Sequence, residues 1–380
     1  MQILPVASGK GGVGKSMVSA NLAVALGQAG HSVVLVDLDL GGSNLHLILG
    51  QSAGGPSIGS FLGRGKMDFS QVIQTTEYQN VRFIAGDAEI PGLANLNASQ
   101  KNMLVRRLEN IDADYVILDL GAGTSQNILD FFLMSGQGIV VTAPTPTATV
   151  NAYLFLKNTV FRLLQRSAKR KSPGGTFIDD LFKNRSSLQR IYLPEIVERL
   201  RHVDPEAAAR YKEAVQRFRP RLVMNMIDDP KDAETVTRLR RSAREYLDLD
   251  LLHLGIMYRD SLQDTAQSSR LPIIRYKPQA ILSQAIYRIA EKVVSLAEED
   301  HSLLNLETIN DSYDAAGQEA EHDFESKLDY IEELLNTGTL STGDLIETIK
   351  SQHYEITQLK RQNNLYKAKL VKAMQSGFKS

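Results

Sequence analysis

Residues 9–16 read Gly-Lys-Gly-Gly-Val-Gly-Lys-Ser, a string that leaves a chain little freedom in what it can fold into. It lies between an apolar, β-rich run, Ile3–Ala7, and a run over Lys15–Gln28 that reads as an amphipathic helix. The pattern is G-x-x-x-x-G-K-[S/T] in strand–turn–helix context, where glycines let successive backbone N–H groups turn inward and wrap phosphates. Gly9, Lys10, Gly11, Gly12, Val13, Gly14, Lys15, Ser16 and Met17 are therefore expected to cradle a nucleotide. Lys15 is expected to reach the β- and γ-phosphates and the Ser16 hydroxyl to ligate Mg²⁺. The helix N-terminus adds its partial positive charge.

Further apolar runs follow at Val33–Val36, Val81–Ala85, Tyr115–Leu118, Ile139–Ala143 and Leu222–Met226. Helical stretches separate most of them, at Ala98–Asn110, Gln126–Met134, Val150–Arg166, Ala233–Tyr246 and Gln279–Ala297. Continuous apolar strands alternating with helices predict an α/β fold with a doubly wound, mostly parallel sheet covered on both faces. The expected domain is 1–297, interrupted at 167–220 by a helical insertion. The insertion opens with a basic loop, Ala168–Phe177, and Asp204-Pro205 is a helix start with Asp as N-cap. Thirteen acids against one lysine between Glu298 and Leu335 predict an acidic linker over 298–340, ahead of a helix over 341–380.

Composition removes whole classes of chemistry. The chain has no cysteine, which excludes disulfides, thiol nucleophiles and cysteine-held iron–sulfur clusters. A net charge of −1 provides no global field for nucleic acid or membrane, so such contacts need local patches. No apolar run approaches the roughly 20 residues of a membrane helix, and the first ten residues lack signal-peptide character. The expected compartment is the cytoplasm, with peripheral attachment to the inner face of the plasma membrane as an extension of that reading.

Two strands end in acids. Val33-Val34-Leu35-Val36 runs into Asp37-Leu38-Asp39, and Tyr115-Val116-Ile117-Leu118 into Asp119. Carboxylates at the ends of buried parallel strands face the crevice where such sheets bind ligands. Asp119 is the candidate Mg²⁺ holder, and Asp37 its support.

The string Lys-Gly-Gly-Val-Gly-Lys-Ser, these two stations, Gly41-Gly42-Ser43-Asn44-Leu45 and Leu120-Gly121-Ala122-Gly123-Thr124 together resemble the MinD/ParA group of P-loop ATPases. The resemblance covers about residues 1–297 outside the insertion, and its motifs occur in family order. It implies ATP and Mg²⁺ as cofactors and a homodimer formed with ATP. In that dimer Lys10 would reach the partner's nucleotide as an arginine finger does. It also implies that Asp39 orients the attacking water, making Lys10, Lys15 and Asp39 the catalytic set. By position in the family, Asn225 and Pro272 would contact the adenine, and Gly255–Asp260 would follow the penultimate strand. Met17 departs from the usual second threonine, and the Asp-x-Gly-Ala-Gly form at Asp119 is closer to FlhG than to MinD. FlhG normally carries a segment ahead of its first strand, and this sequence begins with that strand. The implied function is a slow, ATP-dependent dimerising switch that positions a cellular structure, with a protein partner that stimulates hydrolysis. The alternatives are a ParA-like DNA-partitioning ATPase and a nucleotide-binding scaffold without turnover.

Residues 345–373 carry an alternating four–three stripe from Leu345 to Ala373 with Asn363 inside it, which reads as a two-stranded coil or as a helix lying on its own core. Beyond Ile356 there are six basic residues and no acid among apolar ones, a pattern similar to the membrane-binding end of MinD and equally to a solvated basic helix. Arg238, Arg240, Arg241 and Arg244 form a second basic face and Lys169-Arg170-Lys171 a third. With Asp228, Asp229, Asp232 and Glu234 just ahead of the arginines, DNA is the less favoured partner.

Overall fold

A computed structural model describes residues 1–337 apart from 41, 53, 64–66, 87–95, 184–191 and 299–305, together with residues 343, 346, 350 and 357. The chain divides into two units, Met1–Asp323 and Phe324–Ser380. The predicted stripe and basic end of 345–373 lie outside the described residues save for single positions.

The first unit is built on an eight-stranded sheet in the order β3-β4-β2-β5-β1-β6-β7-β8. The strands are β1 Gln2–Ser8, β2 Val33–Leu38, β3 Ile73–Thr75, β4 Val81–Ile84, β5 Tyr115–Ala122, β6 Ile139–Thr142, β7 Arg221–Ile227 and β8 Leu252–Tyr258. All neighbours pair in parallel except the short edge strand β3, which runs antiparallel to β4. The helices are α1 Lys15–Gln28, α2 Leu45–Ile48, α3 Ile58–Gly63, α4 Ala98–Leu108, α5 Gln126–Phe132, α6 Pro146–Ser167 and α7 Pro173–Lys183. They continue as α8 Leu193–Val203, α9 Pro205–Arg217, α10 Glu234–Leu247, α11 Leu262–Ser268, α12 Ile273–Tyr276, α13 Ile281–Glu298 and α14 Leu306–Asn336. From β1 the chain passes to β2 on one side and later to β6 on the other, so its direction reverses at β1. Open α/β sheets bind ligands at the carboxyl ends of strands at such a switch point.

Four expectations are corrected. Helix α1 is not amphipathic, because nearly every residue from Lys15 to Gly27 is buried between the sheet and helices α2, α12 and α13. Gly255–Tyr258, expected as a segment after a strand, is itself the second half of the last strand, β8. The expected basic loop turns helical at Pro173, where the Ser172 hydroxyl accepts the Gly175 N–H. The acidic run carries a helix, α14, in place of a linker. Ile309, Ala316 and Ala320 are buried on one of its faces and Tyr313 packs beside them, a three–four spacing hidden within an acid-rich composition. This stretch is fixed by Arg288–Asp323 and Lys292–Glu319 ion pairs and by the Tyr258 hydroxyl donating to the Ala320 carbonyl at 2.8 Å. The helix starts at Pro146 and at Asp204-Pro205 follow their capping chemistry: Thr145 accepts from Ala148 N and Asp204 from Ala207 N.

Candidate functional site

The turn 9–14 leaves the carboxyl end of β1, which lies between β5 and β6 in the sheet, and feeds α1. Two of its glycines are dictated by close approach. A Cβ on Gly9 would stand 2.0 Å from the Asn151 carbonyl oxygen of α6. Gly14 has φ +84°, and a Cβ there would meet the Asn225 amide nitrogen at 2.2 Å. Sequence spacing therefore fixed a turn that only glycine can build at both ends.

Lys15 is buried, and its ammonium donates to Asp119 Oδ1 at 2.8 Å and to Ser16 Oγ at 3.2 Å. Ser19, one helical turn further along α1, donates to the same Asp119 oxygen at 2.7 Å. Asp37 and Asp119 are direct partners across β2 and β5, and both are almost fully buried. Burial, and then the charge of Asp119, push the Asp37 carboxyl up to about 7 against the hydrogen bonds that oppose the rise. Those bonds come from the Ser43 hydroxyl at 2.6 Å, Asp39 N at 3.1 Å and Leu45 N at 3.3 Å. Two buried acids thus lie side by side, and the one ammonium at the site is paired with Asp119. That imbalance, with the Ser16 hydroxyl alongside Lys15, is a donor set suited to a hard, oxygen-seeking divalent cation, so the residues fit Mg²⁺.

Asp39 stands at the rim, half-buried, its Oδ1 3.2 Å from where a Cβ on Gly121 would lie. Lys10 is exposed and donates to Thr147 Oγ1 at 3.0 Å, in the first turn of α6. Met17 is buried and contributes its carbonyl to Asn21 Nδ2. Asn225 is buried, with its Nδ2 donating to the Val13 carbonyl at 3.0 Å, so the amide holds the phosphate turn itself. Met226, next along the strand, has φ +62° at an irregularity in β7 pairing. Pro272 starts α12, which packs on α1; Asn21 of α1 accepts the Ile274 N–H at 3.2 Å. The structure thus brings Lys15, Ser16, Asp37 and Asp119 together, sets Asp39 at the edge, and turns Lys10 toward α6.

Three contributing side chains escaped sequence reasoning. Ser19 is four residues from Lys15, on the same helical face, and that spacing could have identified it. Ser43 sits in the Gly-Gly-Ser-Asn segment already singled out. Thr147 gives no sequence signal, being brought to Lys10 only by the fold. The α10 basic face is partly consumed internally: Arg240 lies 4.4 Å over the Tyr313 ring and Arg244 pairs with Asp250 at 2.8 Å.

A family model described as ParA, NUBPL iron-transfer P-loop NTPase, matches residues 1–159. The flagellum site-determining protein YlxH of Helicobacter pylori is 26% identical over 301 residues, spanning 78% of this chain and 83% of its own. The antiactivator FleN of Pseudomonas aeruginosa is 28% identical, spanning 48% of this chain and 68% of its own. Among solved structures, the cell division ATPase MinD of Pyrococcus furiosus covers 78% of this chain and 99% of its own at 20% identity, with a TM-score of 0.54. The Mg-ADP complex of Pyrococcus horikoshii MinD gives a TM-score of 0.53 at 20% identity, with 78% and 97% covered. The phosphate turn, the acids in the carboxyl halves of β2 and β5, the strand order and these likenesses agree: residues 1–159 form a P-loop NTPase region of the ParA/MinD type.

Proposed function

We propose that this protein is an ATP-hydrolysing, dimerising switch that regulates where a cellular structure is placed, as its site-determining relatives are named for doing. The observation that carries the proposal is the two-acid, one-lysine arrangement at the switch point, with a second lysine, Lys10, standing exposed at its mouth. Lys15 leaves Asp119 for the β- and γ-phosphates of ATP as nucleotide enters. Ser16 and Asp119 hold Mg²⁺, with Asp37 in support. The metal supplies neutralisation of charge on the phosphates. Asp39, at the rim, orients the attacking water. Lys10 exchanges Thr147 for the nucleotide of a second copy, so hydrolysis waits on dimer formation. Asn225 and Pro272 border the base, Asn225 fixing the turn at the same time.

A protein partner that stimulates hydrolysis completes the cycle. The recruiting surface is a membrane reached through the basic C-terminal residues, and two copies in one dimer bind by avidity. Among the described residues no helix is long and apolar enough to cross a membrane. The internal engagement of Arg240 and Arg244 weighs against DNA. The test is ATP turnover of the wild type beside Lys15→Ala and Asp39→Ala. Measurable wild-type turnover abolished by both substitutions is expected, whereas equal rates would leave only a scaffold.

A further inference from the structure

At the end of the sheet opposite the phosphate turn, a cleft of about 1110 Å³ runs beneath the first residues of β1, β5, β7 and β8. Arg221 lines it from the start of β7 and is only 3% exposed. One of its terminal nitrogens, Nη2, donates to the Gln137 side-chain oxygen, which also accepts Gln2 Nε2 at 2.8 Å. The other, Nη1, is buried with no hydrogen-bond partner, and so is the Gln2 side-chain oxygen.

A buried guanidinium without a counter-charge is costly, because it loses hydration on every side and regains it on few. The carboxylates along the cleft are engaged elsewhere among the described residues. Asp114 accepts from the Ser32 N–H and hydroxyl, Glu213 pairs with Arg217 at 2.7 Å and Asp250 with Arg244 at 2.8 Å. Burial holds the Arg221 guanidinium down at about 10. A donor without an acceptor and an acceptor without a donor therefore stand on one polar network, walled by a cleft large enough for a small molecule.

We infer that this cleft binds a small tetrahedral oxyanion, inorganic phosphate or a phosphate monoester, with Arg221 donating to its oxygens and Gln2 accepting from its P–OH where one is present. The site is separate from the nucleotide site. Asn225, which holds the phosphate turn, lies four residues further along β7, about 13 Å at the usual strand rise.

The test is the thermal midpoint of the full chain saturated with Mg-ADP, so that the phosphate turn is filled, during titration with inorganic phosphate and, in a second arm, glycerol phosphate at constant ionic strength. One or both ligands should raise the wild-type midpoint saturably by about 2–4 °C at low millimolar concentration, and the arm that does so names the source. Arg221→Met should abolish the rise, and Gln2→Leu, at a less buried position, should shift its half-point several-fold. General salting effects of phosphate are unsaturable and would persist in Arg221→Met. A parallel titration of Lys15→Ala reads the cleft without relying on nucleotide binding, so the two assignments can fail independently. A flat wild-type titration in both arms, or an equal rise in Arg221→Met, overturns the inference.

Discussion

Two sites in this molecule are built on buried acids and differ in what surrounds them. At the switch point, Asp37 lies beside Asp119, and the ammonium of Lys15 pairs with Asp119 while Asp37 is held by the Ser43 hydroxyl and two backbone N–H groups. Some distance along the same fold, Asp130 of α5 stands alone among Lys101 of α4 and Arg162 and Arg166 of α6. The first has too little positive charge and the second more than enough. Although burial works against it, the bonds from Arg162, Lys101 and Arg166 hold the Asp130 carboxyl down at about 2, while Asp37 is pushed up to about 7. An under-neutralised pair is poised to accept a cation and change state, whereas an over-neutralised acid pins three helices in one arrangement.

The comparison can be broken most sharply at Lys15. Lys15→Ala should lower ATP turnover by at least about 100-fold, since it removes charge both from the phosphates and from Asp119; a steady-state phosphate-release assay reads this directly. Next in size is the pH dependence of the nucleotide-free protein. The folded value of Asp37 lies above its unfolded one, so folding favours the protonated form, and stability present below pH ~4 is lost as pH rises toward ~7, on the order of 3 kcal/mol. Denaturant midpoints across that window should fall for the wild type and stay flat for Asp37→Asn.

Asp130→Ala should cost about 2–3 kcal/mol by leaving three cations facing one another, with turnover per folded molecule unchanged. Denaturant unfolding together with the ATPase assay separates the two effects. The acid side runs oppositely to Asp37: a depressed carboxyl adds stability above pH ~4 that disappears as pH falls toward ~2. Because Arg166 is half-exposed, solvent screening limits this to about 1–2 kcal/mol. The smallest effect belongs to Thr147→Ala. Its bond to Lys10 is exposed, so stability should change by less than about 0.5 kcal/mol, read from the same denaturant curves.

What the sequence made legible was what covalent spacing determines. Gly9 to Ser16 must form a turn between a strand and a helix, and the acids following Val36 and Leu118 lie in the carboxyl halves of their strands, β5 running three residues past Asp119. Whatever depends on residues distant in the chain was not legible. Thr147 meets Lys10 across 137 positions, and Asn225 meets Val13 across 212. Helix α1 looked two-faced because it holds small and polar residues, yet its serines and asparagine bond internally and the helix is enclosed. In α14, charge concealed periodicity: Ile309, Tyr313, Ala316 and Ala320 form a packing stripe that net acidity masks.

The central claim is that ATP joins two copies through Lys10. The most direct measurement is the solution mass of the full chain by light scattering with ADP and with ATP, in an Asp39→Ala background that retains the triphosphate. A monomer with ADP and twice that mass with ATP, reverting to monomer when Lys10→Ala is added, is the predicted result. A mass independent of nucleotide, or an unchanged ATP dimer and unchanged turnover in Lys10→Ala alone, would contradict it.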